Sequence, residues 1–134
     1  MSLPEYYFRV RENGAMVFRV DTENRMRRID MDQIAVVNIK NGEIKAHGDR
    51  ELSDADQAAI ADWLEKRRAQ LAERQLDDIL RTVDHLNLTA VWAQRQATAE
   101  ELEAVSDALL MAMHDLRSVL VRKKSDQLKE QDSD

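Results

Sequence analysis

Apolar and polar positions alternate in short runs over the first third of the chain, then settle into a three-to-four-residue rhythm. Residues 6–20, YYFRVRENGAMVFRV, form two β-rich runs around Asn13-Gly14. A three-residue loop, Glu12-Asn13-Gly14 with a left-handed glycine, pairs Val10 with Met16, Phe8 with Phe18 and Tyr6 with Val20. One face is then wholly apolar, and Tyr7, Arg9, Arg11, Val17 and Arg19 share the other. A two-residue Asn-Gly turn mixes charge and oil on both faces, so the longer loop is expected. In IAVVNIKNGEIKAHG a tight Asn41-Gly42 turn gives the cleaner face, pairing Ile39 with Ile44 and Val37 with Ala46. A short strand is expected near residues 25–29. The sum is an antiparallel meander of four or five strands, one side needing cover.

The cover follows. Ser53 precedes acidic residues and a long helical pattern, a standard helix start. Ile60, Trp63, Leu64 and Leu71 lie on one stripe. Leu76, Ile79, Leu80, Val83 and Leu86 lie on a second, displaced by roughly a third of a turn. One helix therefore serves two surfaces. It weakens around HLNLTAVW yet is expected to reach about Gln96. Thr98 and Glu101 form a capping box that starts a second helix at Ala99. Leu102, Val105, Leu109, Ala112, Leu116 and Val119 make its seam, and Leu110, Met113 and Leu120 widen it. All three glycines and the one proline fall in the first 48 residues, so nothing in the helical part breaks it.

These elements give an α+β chain: residues 1–124 as one domain, β-rich to residue 50 and helical from 51, then a charged tail at 125–134 read as disordered. Two antiparallel helices bury one stripe each, and this pair carries more apolar surface than that. Leu76, Ile79, Leu80, Val83, Leu109, Leu110, Met113, Leu116 and Leu120 are therefore expected at an interface, with a second copy completing a helical bundle.

Composition narrows the chemistry. The net charge of −6 disfavours bulk affinity for nucleic acid or anionic lipid. It is uneven: residues 1–50 hold 9 basic and 8 acidic side chains, the remainder 11 and 18. Cysteine is absent, which excludes disulfides, thiolate nucleophiles and cysteine-ligated metals. No basic segment followed by an apolar run opens the sequence, and no run is long enough to span a bilayer; a soluble, cytoplasmic protein without membrane contact is expected.

No reaction is legible. His85 and His114 stand beside aspartates on helices, but neither Glu-x-x-His nor His-Glu-x-x-His occurs. Asp54 and Asp56 are accounted for by a helix start, as are Glu100 and Glu101. There is no glycine-rich phosphate loop and no serine elbow. Catalytic, cofactor and metal residues are read as none. The expected function is non-enzymatic association, with a second copy and an unidentified protein as partners. The alternative is a regulator that binds nucleic acid or phosphate through Tyr7, Arg9, Arg11, Arg19 and Arg27, a surface with one aromatic and little net charge. A solvated sheet face protected from edge pairing explains those arginines more simply.

Overall fold

The structure is a computed structural model that describes residues 3–21 and 29–132. Four strands, β1 (Tyr6–Arg11), β2 (Gly14–Val20), β3 (Met31–Asn38) and β4 (Ile44–Ala46), form one antiparallel sheet in chain order. Two helices follow, α1 (Asp54–Arg95) and α2 (Ala99–Asp132). The architecture is α+β, strands first, as the change of hydrophobic period implies. The strand expected at residues 25–29 lies largely outside the described residues, as does Arg27. Contacts divide the chain into two units, Met1–Ile79 and Leu80–Asp134, and α2 stays helical as far as Asp132.

In the first unit the sheet packs on the start of α1. Ala15, Val17, Ile34, Ala35 and Val37 meet Ile60 and Leu64, with Tyr6, Phe8, Ile44 and Trp63 at the margin. The Phe8 and Trp63 rings stack with centroids 4.9 Å apart. Opposite Val17 and Phe18 the β2–β3 register shifts: Val17 pairs with Ala35 and Phe18 with Gln33. Ile34 is the extra residue of this bulge, and both Ile34 and Ala35 are buried.

The first hairpin departs from expectation. Arg11 pairs with Gly14, so the turn is Glu12-Asn13, and the register sets Tyr6 against Arg19, Phe8 against Val17 and Val10 against Ala15. The three-residue loop fails because its premise of one oily face and one wet face is wrong. Phe18 is buried on the second face, beneath the Arg9 guanidinium at 4.6 Å and beside Tyr7. Arg19, turned toward α1, finds a carboxylate there. Gly14 is required for closeness rather than for a left-handed turn: a Cβ on it would fall 1.9 Å from the Val37 carbonyl oxygen. Gly14→Ala is expected to lower stability by about 3 kcal/mol by forcing β2 and β3 apart, measured by urea unfolding.

The second hairpin departs in the opposite sense, with a longer connection than expected. Val37 pairs with Ile44 and Ala35 with Ala46. Asn38 accounts for the difference. Its backbone oxygen accepts from the Gly42 N–H at 2.9 Å, and its Oδ1 accepts from Lys40 N–H at 2.9 Å. Gly42 takes φ of +74°, the left-handed conformation that suits glycine. Arg68 of α1 donates through Nε to the Ile39 carbonyl at 2.9 Å and so fixes the loop.

Both helix starts follow the sequence. Ser53 Oγ accepts from Asp56 N–H at 3.0 Å while Asp56 Oδ2 accepts from Ser53 N–H at 3.0 Å. Thr98 and Glu101 exchange the same pair of bonds at 3.1 and 3.0 Å. α1 runs unbroken through Asn87. Thr89 Oγ1 bonds back to the His85 carbonyl at 2.7 Å, so the β-branched stretch is absorbed within the helix.

Candidate association surface

α1 spans 42 residues, about 60 Å, yet its buried residues are only Asp56, Ile60 and Leu64, all near its start. α2 has 34 residues and buries none of them. In the second unit the half-buried side chains cluster around the connection at residues 96–98: Thr89, Trp92 and Ala93 from α1, Leu102, Val105 and Leu109 from α2. Gln96 and Ala97 N–H both donate to the Trp92 carbonyl at 2.9 Å and hold that turn.

Away from the turn, oil faces water. Leu76, Ile79, Leu80 and Val83 of α1 are exposed, Leu80 by 64 %, as are Leu110, Met113, Leu116 and Leu120 of α2, Leu116 by 52 %. Of the nine residues expected at an interface, only Leu109 is partly covered within the chain. At 100° per residue the stripe from Leu76 to Val83 lies about a third of a turn from the half-buried set of Thr89, Trp92 and Ala93. Packing at the turn therefore leaves that stripe uncovered.

The arginines do not assemble as one surface. Tyr7, Arg9 and Arg11 share the sheet face opposite the core, where Arg9 lies over Phe18 and Arg11 Nη2 sits 3.1 Å from Met16 Sδ. Arg19 is on the other face and its Nη2 meets Asp56 Oδ2 at 2.5 Å.

Asp56 is the residue that sequence reasoning undervalued, assigning it only to the helix start. It is 1 % exposed, and besides Arg19 and Ser53 it accepts the Tyr6 hydroxyl at 2.6 Å. Burial disfavours its charge, but the bonds from Tyr6 and Ser53 and the Arg19 charge outweigh that and hold its carboxyl below the usual value. The hydrogen bond to Asp56 in turn raises the Tyr6 hydroxyl above its ordinary pKa. The signal lay in Ser53-x-x-Asp56, whose acidic residue caps a helix and also falls on its buried face, four before Ile60.

His85 and His114 are exposed, and among the described residues no group of three or more metal-ligating side chains converges. Nor, among them, is any helix long and apolar enough to cross a membrane. Compared with protein-family models, curated proteins and solved structures, the chain matches none.

Proposed function

We propose that this protein is an association module that acts by self-assembly through the apolar faces of α1 and α2, without a reaction of its own. The observation that carries this reading is that α2 buries no residue while presenting Leu110, Met113, Leu116 and Leu120 to water. Helices in water draw most of their stability from packing an apolar face, and a segment this apolar has no packing of its own beyond the turn. Exposed apolar surface of such extent marks an interface. A nucleic-acid role through the sheet draws less support, since Arg19 is engaged by Asp56 and Arg9 by Phe18.

Sedimentation equilibrium at micromolar concentration is expected to give a mass of two copies or more. A mass of one copy overturns the proposal.

A further inference from the structure

We infer that α2 is covered by α2 of a second copy lying antiparallel to it, with the local two-fold axis between Leu109 and Leu116. This rests on the self-association proposed above and names its geometry.

Charge along α2 is segregated as far as Ser125, beyond which Asp126, Lys129, Glu130 and Asp132 mix both signs. Residues 99–115 carry Glu100, Glu101, Glu103, Asp107 and Asp115 and no lysine or arginine. Residues 116–125 carry Arg117, Arg122, Lys123 and Lys124 and no acidic residue. The helix dipole explains acids in the first turn and bases in the last, but its influence fades within a turn. Asp107, Asp115 and Arg117 lie well inside. Side by side and parallel, two such helices set acid against acid and base against base. Antiparallel, each acidic half meets a basic half.

Charge and oil select the same register. At 100° per residue Glu103 and Lys124, three heptads apart, share one flank of the apolar stripe, whereas Lys123 falls on the stripe itself, in line with Leu109 and Leu116. A two-fold axis keeps each flank facing its own kind, so Glu103 meets the partner's Lys124. That pair is centred beside Met113. That centre also sets Met113 against the partner's Met113 and Leu110 against the partner's Leu116, all exposed within the chain.

The chain contains no cysteine, so single introduced thiols report cleanly. Met113→Cys and Leu128→Cys are each treated with a short bis-maleimide in the full chain, and the mass is followed in parallel by sedimentation. In the antiparallel pair the two thiols introduced by Met113→Cys lie within reach of the reagent. Those introduced by Leu128→Cys are about 45 Å apart along the helix. Crosslinking of the first variant and not of the second is the expected result. A dimer that crosslinks in both variants, or in neither, overturns the antiparallel pairing and leaves self-association standing. A monomer by mass overturns both. Lys124→Glu is expected to weaken the dimer about tenfold, and adding Glu103→Lys to restore it; failure to restore also counts against the register.

Discussion

Asp56→Ala is expected to cost the sheet-bearing unit about 3 kcal/mol, the largest loss from any single polar side chain in that unit. The carboxylate is buried and accepts from the Tyr6 hydroxyl, Arg19 Nη2 and Ser53 N–H at 2.6, 2.5 and 3.0 Å. Removing it leaves the hydroxyl and the amide without an acceptor, each a loss of about 1–3 kcal/mol when buried. Arg19 moderates the total, because its side chain is 49 % exposed and can turn to water. Asp56→Asn keeps the shape and loses the charge, so about half the effect is expected.

The pH dependence has a definite sign. A carboxyl whose pKa is lowered on folding stabilises the fold above its unfolded value of about 4, and the contribution disappears as pH falls through the folded pKa. The stability gap between the native protein and Asp56→Asn should therefore be constant from neutral pH down to about 4 and narrow below it. Urea unfolding followed by Trp63 fluorescence in a Trp92→Phe background measures this. A gap that widens in acid contradicts the assignment.

Leu116→Asp is expected to dissociate the assembly, raising its dissociation constant at least about a hundredfold, or roughly 3 kcal/mol. Leu116 lies on the exposed stripe of α2, and a symmetric pair places an unpaired charge in the interface twice. Helix content should fall with it, and the melting temperature of the native protein should rise with concentration as mass action requires. Ser118→Asp adds the same charge on the opposite face of α2 and should leave the mass unchanged. Sedimentation and circular dichroism on the two variants separate interface loss from a general effect of charge.

Much of this molecule can be read from short stretches. Ser53 before an acidic turn starts α1, and Thr98 with Glu101 starts α2 at Ala99. The absence of glycine and proline after Gly48 left nothing to interrupt either helix. The apolar surplus on the helical part was also visible, since counting stripes needs only the helical period, and Leu76, Ile79, Leu80, Val83, Leu110, Met113, Leu116 and Leu120 are exposed accordingly.

Strand register could not be obtained in that way. The rule of one oily and one wet face put Met16 and Phe18 inside, whereas the fold buries Val17 against α1 and shelters Phe18 beneath Arg9. Capping boxes and helical periods are settled between residues three or four apart, where sequence already brings the partners together. Register in the first hairpin is bound up with the Gly14 approach to Val37, the bulge at Ile34, and Asp56 reaching Arg19 and Tyr6 across 37 and 50 residues. Those energies exist only once the sheet and helix have met, so tertiary packing decided what neighbouring residues could not.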